Sequence, residues 1–423
     1  MSGLIIAAPS SGAGKTTVTL ALLRLLRRQG IKVRSAKSGP DFIDPRFHET
    51  ATGAPCPNLD AWAMSEERLK SLANTDDSLL IIEGAMGLFD GAPPNGRGAV
   101  ADLARCLKLP VVLVVNASHM AQSVAAIVNG FKHHDPRVFI AAVILNNVGS
   151  DRHEKMLRTA LAQIDVPVLA ALHRNPALAM PSRHLGLVQA QEHPELEAFL
   201  NLAADALAET LHVDALLALA RALPAAAKTG RLTPPGQFIA VAKDRAFDFA
   251  YPHILNDWRD AGAEIRFFSP LANEAVPDAD FIYLPGGYPE LHAGTLAAAN
   301  TFKASLRKSA ETAVIYGECG GYMTLGDSLT DANGHVHEML GLLRLHTSFA
   351  QRKLHLGYRH LRSNSGPFTG AFNGHEFHYA STLDARGDAL FSATDAEETP
   401  IADMGLRLGR VCGSFAHIID SAN

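Results

Sequence analysis

The chain has 423 residues, 47% hydrophobic and 19% charged, with 43 acids against 38 bases and a formal net charge of −5. That length exceeds what one hydrophobic core usually serves and points to two domains or more, while the mild acidity argues against a nucleic-acid partner, which needs a basic face. Cys56, Cys106, Cys319 and Cys412 form no C-x-x-C pair, which argues against a disulfide framework or structural zinc, and no stretch approaches the ~20 apolar residues of a membrane span; a soluble protein with reduced thiols in the cytoplasm is expected.

Residues 4–8 are a short apolar run that ends at Pro9-Ser10-Ser11-Gly12, and residues 16–29 carry leucines at helical spacing. With no basic residues ahead of it, the run reads as a buried strand and not a secretory signal. Between strand and helix lies Gly12-Ala13-Gly14-Lys15-Thr16-Thr17, the composition of a phosphate loop. Gly12 and Gly14 let backbone N–H groups converge on a polyphosphate, Lys15 neutralises its charge, and the Thr16 hydroxyl is suited to ligate Mg2+ at the helix N-terminus. Pro9 stands where the general motif begins with Gly. A glycine-rich turn ahead of any helix is the bland alternative, outweighed by the placement.

A second strand is expected around Val33, followed by a Pro/Gly-punctuated loop, residues 37–45, that holds Lys37, Asp41 and Asp44. Further apolar runs end at Glu83 (79–82), Asn116 (111–115) and Asn146-Asn147 (138–145). Runs without alternation, separated by helix-length segments, predict strands buried on both faces of a parallel sheet, with polar ends where ligands bind such sheets. Asp41, Asp44, Glu83 and Asp90 are therefore candidates to hold Mg2+ in an acidic pocket. For each the plain alternative is a cap or turn residue, a serious one for Asp44 before Pro45. A lone carboxylate at the end of a buried strand is costly, which favours the metal reading for Glu83.

Residues 198–227 carry Ala and Leu at helical spacing, and residues 228–237 shift to Thr, Gly and Pro, the expected boundary between domains 1–230 and 237–423. Strands are expected at 238–242, 265–268, 281–284 and 313–316, with antiparallel additions from about residue 340. Gly317-Glu318-Cys319-Gly320-Gly321 reads as a nucleophile elbow on a strand-to-helix turn, with an exposed sulfur at a helix N-terminus that favours thiolate. Backbone N–H groups near Gly287 and Gly320 are candidates to receive an oxyanion, and His417 is the candidate base. Cys56, Cys106 and Cys412 are expected to be small buried hydrophobes. His375 and His378, three apart on an expected strand, point to opposite faces, so a shared metal is not expected; the segment reads as polar lining, against surface strand residues.

Residues 7–17, Gly39-Pro40-Asp41-Phe42-Ile43-Asp44-Pro45, Glu83-Gly84-Ala85-Met86-Gly87-Leu88-Phe89-Asp90-Gly91, 284–290, 317–323 and 374–379 resemble, in order and over nearly the whole chain, the cobyrinic or hydrogenobyrinic acid a,c-diamide synthase family of corrinoid biosynthesis. The resemblance implies an α/β protein: an N-terminal P-loop, dethiobiotin-synthetase-like parallel-sheet domain and a C-terminal class I glutamine-amidotransferase-like α/β domain. It implies ATP as cosubstrate, Mg2+ as cofactor, L-glutamine as nitrogen donor and a corrinoid acid as acceptor. ATP would phosphorylate an acetate carboxylate of the corrin, c then a, while Cys319 attacks glutamine and ammonia travels internally to the acyl phosphate.

By motif match, Gly12, Gly14, Lys15, Thr16, Thr17, Lys37, Asp41, Asp44 and Asp90 would bind nucleotide and intermediate, and Thr16, Asp41 and Glu83 the metal, with roles among the four acids undivided. Most class I amidotransferases carry His-x-Glu, whereas Ile418-Ile419 follow His417 here, so its imidazole is expected to be held by another group. The rival readings are a cobyric acid synthase-type amidotransferase and a P-loop regulatory ATPase with a degenerate amidotransferase domain. Cobalt in the substrate and a homodimer are left open, the N-terminus leaning slightly to the metal-free acid.

Overall fold

Apolar runs that bury both faces become the strands of one parallel sheet in the first of two compact units, Met1–Thr229 and Gly230–Asn423. The computed structural model describes residues 1–179, 182–183, 186–187, 190–192, 195–227, 229 and 232–422. The expected domain boundary at 228–237 falls in part, at residues 228, 230 and 231, outside the described residues.

In the first unit β1 (Ser2–Ala7) leads through the glycine-rich loop into α1 (Lys15–Arg28), then β2 (Val33–Ser38), α2 (Asp44–Thr52), β3 (Asn58–Leu59), α3 (Glu66–Ala73), β4 (Leu79–Glu83), α4 (Val100–Leu107), β5 (Val111–Asn116), α5 (Ser123–His134), β6 (Ile140–Val148), α6 (Asp151–Ala162) and β7 (Val168–His173). The strands lie in the order β3-β2-β4-β1-β5-β6-β7, every neighbouring pair parallel. A small antiparallel pair, β8 (Ser182–Arg183) and β9 (Gly186–Leu187), precedes α7 (Leu196–Ala208) and α8 (Val213–Leu219). Leucines of α1 pack with Phe199, Leu200, Ala203 and Leu207 of α7 in one core, and each buried leucine contributes about 1.5–3 kcal/mol.

Two sequence expectations shift here. Lys37 belongs to β2 and not to the loop after it, paired in register with Glu83, while Ile6 of β1 pairs with Glu83 from the other side. The helix expected through residue 227 ends at Leu219, and β10 (Arg221–Ala222) follows it, pairing antiparallel with Ser2 and Gly3.

The second unit restarts the α/β rhythm with β11 (Phe238–Ala242), α9 (Pro252–Asp260), β12 (Glu264–Phe268), β13 (Phe281–Leu284), α10 (Ala293–Ala298), α11 (Asn300–Ser309), β14 (Val314–Glu318) and α12 (Gly320–Leu325). There follow β15 (Ser328–Thr330), β16 (Val336–Glu338), β17 (Arg344–Ser348), β18 (His355–Ser363), β19 (Gly370–His378), β20 (Ser381–Arg386), β21 (Ser392–Thr394), β22 (Leu406–Leu408), β23 (Val411–Ser414) and β24 (Ala416–Ser421). The main sheet runs β12-β11-β13-β14-β23-β22, parallel except for its last pair. Two four-stranded sheets, β16-β15-β17-β20 and β21-β18-β19-β24, are the mainly antiparallel additions. Tyr283 of β13 and Tyr316 of β14 stack at 5.9 Å, backed by Trp258, Phe281 and Phe368. No helix among the described residues is long and apolar enough to cross a membrane.

Candidate functional site

The first constellation gathers at the C-terminal edge of the parallel sheet. Gly12 (φ 77°) and Gly14 (φ 88°) take left-handed backbone conformations that side chains rarely allow. A Cβ at Gly14 would sit 2.1 Å from Asn146 Nδ2, and that same amide donates to Ala13 O at 3.0 Å. Asn146 at β6 thus braces the loop from a strand two places away across the sheet. Lys15 opens α1 and donates to Met86 O at 2.5 Å and Ser10 O at 3.4 Å; burial holds its ammonium below the usual lysine value. The Thr16 hydroxyl donates to Glu83 Oε1 at 2.8 Å. Thr17 is half-buried on the same turn.

Glu83 is fully buried, and both its oxygens are engaged. Oε1 also accepts from Lys37 Nζ at 2.9 Å, and Oε2 lies 2.6 Å from His48 Nε2. Burial alone would raise its carboxyl, yet Lys37 and His48 hold it well below the carboxylate range. The cations respond in kind. Against its burial, Lys37 is raised by Asp44 and Glu83, and His48, also against burial, is raised to about 10 by Cys56 and Glu83. Contrary to the expectation of a lone carboxylate, Glu83 has two cationic partners that already offset its charge.

Asp44 opens the first turn of α2 and lies 2.5 Å from Lys37 Nζ, so it is both a helix-start residue and a wall of the pocket. Asp41 keeps 33% of its side-chain surface and sits 3.9 Å from Lys37, with Oδ1 accepting from Ile43 N–H at 2.8 Å. Desolvation and the Asp44 charge push it up to about 7. Asp41, Asp44 and Glu83 bring hard oxygen donors of the kind that suit a divalent cation such as Mg2+, with Lys15, Lys37 and His48 supplying the opposing charge. Asp90 is exposed and its Oδ2 accepts from Gly87 N–H at 3.1 Å, the behaviour of a turn residue, while its charge still acts on Lys15. His48 was not singled out in the sequence; its signal was the spacing of four from Asp44, which puts both on one helix face.

The second constellation lies in the other unit. Cys319 has φ 45° and ψ −100°, a strained conformation for a residue with a side chain and the geometry of an elbow between β14 and α12. One expectation is corrected. The sulfur is not exposed: Cys319 is 5% accessible, with Sγ 4.0 Å from Phe377 O. Burial, then the Glu290 charge, pushes the thiol up and outweighs the favourable Gly320 N–H, and α12, six residues long, adds little field.

A Cβ on Gly286 would lie 2.4 Å from His417 Cε1, 3.1 Å from Nε2 and 3.4 Å from Cys319 Cβ. Only glycine there leaves room for the imidazole and the cysteine on the same flank. Gly287 (φ 157°) approaches so closely that a Cβ would meet Ala246 O at 2.1 Å, and its amide N lies 3.0 Å from the Cβ position of Gly320, so the two candidate oxyanion donors stand side by side. His417 is 2% exposed, and its Nδ1 lies 3.4 Å from Glu318 Oε2. Glu318 itself accepts from Tyr283 Oη at 2.6 Å, Tyr316 Oη at 3.1 Å and Ile418 N–H at 3.1 Å. Burial first, then Glu318, raises both tyrosines well above their usual value, so they remain donors.

His375, Glu376 and His378 are buried and not surface strand residues. His375 faces His417 across the strand pair. Glu376 accepts from Arg359 Nη2 at 2.7 Å and lies 3.0 Å from His378 Nε2. Together with His355 these bring three ligand atoms within 4.8 Å of one another, but Arg359 already meets the Glu376 charge. Cys56 and Cys412 are buried as expected, whereas Cys106 is half-exposed, at the rim of a cleft of about 900 Å³ near Pro224. That cleft lies at the opposite end of the sheet from the phosphate loop, since Leu223 N–H bonds to Met1 O.

Comparison with known proteins gives matches for both units. Residues 4–188 match the family model described as CobQ/CobB/MinD/ParA nucleotide binding domain, and residues 238–423 that described as CobB/CobQ-like glutamine amidotransferase domain. Relatives named hydrogenobyrinate a,c-diamide synthase are 54% identical in Brucella anthropi over 431 residues, 53% in Rhizobium meliloti over 427 and 51% in Mesorhizobium japonicum over 433, each covering 99% of both chains.

Proposed function

The chain belongs to the hydrogenobyrinate a,c-diamide synthase family, and on that premise we propose that it amidates the a and c acetate carboxylates of hydrogenobyrinic acid, using ATP and glutamine, in cobalamin biosynthesis. It is a carbon–nitrogen ligase of α/β architecture, with a P-loop domain followed by a glutamine amidotransferase domain. The observation that supports the reading is that one chain carries both a phosphate loop braced by Asn146 beside an acid pocket and a strained cysteine elbow with a histidine on its flank.

A carboxylate is a poor electrophile, so amide formation needs a leaving group, which ATP supplies as phosphate. Gly12, Gly14, Lys15, Thr16 and Thr17 bind the polyphosphate, and Lys15 leaves its carbonyl partners for it. Thr16, Asp41 and Glu83 would hold Mg2+, which would supply neutralisation of developing phosphate charge. Lys37 and His48 fix the Glu83 carboxylate, and Asp44 and Asp90 border the pocket where the acyl phosphate forms. In the other domain Cys319 adds to the glutamine carboxamide with His417 as base and the Gly287 and Gly320 N–H groups facing the oxyanion. Ammonia released there is consumed by the acyl phosphate before it is protonated in bulk water. Domains 1–230 and 237–423 carry these two tasks, in the cytoplasm, with no nucleic acid or membrane partner.

The test is mass spectrometry of a corrinoid acid incubated with protein, ATP, Mg2+ and glutamine. Two acid-to-amide conversions, each a loss of about one mass unit, on hydrogenobyrinic and not cobyrinic acid support the proposal. Conversion at other side chains would favour the cobyric acid synthase reading, and glutaminase activity with no conversion on either acid would remove the corrinoid one. Absence of glutaminase activity would leave a regulatory ATPase with a degenerate second domain.

A further inference from the structure

The residues after His417 are Ile418 and Ile419, so no acid follows it on its own strand. The carboxylate that meets its imidazole comes instead from the residue immediately before the nucleophile. Glu318 ends β14, is 3% exposed, and places Oε2 3.4 Å from His417 Nδ1. Its position is over-determined. Tyr283 Oη donates to the same Oε2 at 2.6 Å, while Tyr316 Oη and Ile418 N–H, each at 3.1 Å, hold Oε1. The Ile418 contact ties the carboxylate to the backbone of the very strand that carries His417.

The other edge of the ring, Cε1 and Nε2, faces the bare Cα of Gly286, beside Cys319 Cβ. Nδ1 therefore lies at ion-pair distance from a fixed carboxylate, and Nε2 borders the same flank of Gly286 as Cys319 Cβ. Among the described residues, His375 also faces His417 across the β19–β24 pair.

We infer that Glu318 is the positioning residue of the thiol site, holding His417 with Nδ1–H towards the carboxylate and Nε2 on the thiol flank, where it takes the Cys319 proton. The inference rests on the glutamine-hydrolysing reading of this site. In the reaction the Sγ proton passes to Nε2, sulfur adds to the carboxamide carbon, and the same proton returns to the departing nitrogen as ammonia leaves. A water then loses its proton to Nε2, adds to the thioester, and the proton returns to sulfur as glutamate is released. Glu318 keeps its charge throughout and balances the imidazolium that forms twice. Because burial pushes the resting thiol up, the reaction depends on a correctly oriented base more than it would with a preformed thiolate.

The experiment measures glutamate release by the full chain in the presence of ATP, Mg2+ and the corrinoid acid, for wild type, Glu318→Gln, Tyr283→Phe and Cys319→Ser. Amidation supported by ammonium salts is the internal control for folding and for the other site. Glu318→Gln is expected to lower kcat for glutamine by on the order of 10²–10⁴-fold, with KM for glutamine little changed, since Glu318 is buried and engaged by Tyr283, Tyr316 and Ile418. Tyr283→Phe, which loosens Oε2 but leaves the charge, is expected to lower kcat by about 3–10-fold, again without a KM change.

Wild-type kcat in Glu318→Gln, or a loss expressed wholly in KM, overturns the inference. Should Glu318→Gln fail to support ammonium-dependent amidation, Tyr283→Phe decides: an unchanged kcat overturns it. Cys319→Ser separates the two levels. If it still releases glutamate, the reading of the site has failed; if it is inactive while Glu318→Gln is not, only the role of Glu318 has.

Discussion

Replacing Glu83 by Gln tests the acid pocket most directly, because the substitution preserves shape and removes one charge. In the wild type Glu83 takes hydrogen bonds from Thr16 and Lys37 and pairs with His48. Lys37 keeps Asp44 at 2.5 Å after the change, so the group left without its carboxylate is His48. Breaking a buried pair on one side costs about 3–5 kcal/mol, and since His48 can shed its proton the lower end applies, on the order of 3 kcal/mol. For a unit of this size that is a fall in Tm of roughly 6–12 °C.

The folded value of His48 is raised to about 10, so its stabilising contribution is full below about 6.5 and is lost as pH rises through 10. Glu83→Gln should flatten the stability profile in that window. Its amidation rate should fall by at least about 10²-fold with glutamine and with ammonium alike, assayed well below the variant's Tm, while glutamate release by the thiol site is retained. A variant that loses only glutamine-dependent amidation, or neither activity, would refute the placement of Glu83 in carboxylate activation.

Asp41, pushed up to about 7, makes Mg2+ binding by the nucleotide-free protein release a proton; affinity should rise about 10-fold from pH 6 to pH 8 and then level, and a flat titration would remove Asp41 from the metal site. The metal-free protein should lose stability as Asp41 ionises, from about pH 4 upward through about 7, and melting curves with and without Mg2+ will read this. Iodoacetamide at pH 7 should label Cys319 at least about 10-fold more slowly than free cysteine, with the rate climbing beyond pH 9; rapid labelling that is flat from pH 6, read by peptide mass mapping, would contradict a protonated buried thiol. Gly287→Ala forces a Cβ against Ala246 O, costing about 1–3 kcal/mol, and should depress glutamate release while ammonium-supported amidation persists; an unimpaired glutaminase would sink the role given to that amide.

Much of the fold was legible because its strands are buried on both faces. Runs at 79–82, 111–115 and 281–284 fall inside β4, β5 and β13 with at most a residue added at either end. Motifs whose chemistry is carried by neighbours in sequence, the phosphate loop and the cysteine elbow, could be read for the same reason that they work: the backbone there is local. The environments of these residues could not. Lys37 looked like a loop residue because the sequence does not say that β2 runs to Ser38, and Glu83 looked alone because Lys37 and His48 reach it from other elements. Glu318 was quoted only as a neighbour of Cys319, since its partner is a histidine 99 residues later. The thiol's burial depends on β19 and on Phe377, which no periodicity near Cys319 reveals.

A sulfur kept protonated and covered has a further consequence, for wear. Peroxides oxidise thiolates that they can reach, and each step beyond the sulfenic acid is hard to reverse. Cys319 offers neither the charge nor the access while glutamine is absent, so the resting enzyme should survive an oxidising episode that would inactivate a protein with an exposed, ionised cysteine. During turnover the acyl group occupies the sulfur as a thioester, so the vulnerable interval shrinks to the proton-transfer steps before the acyl group forms and after it leaves.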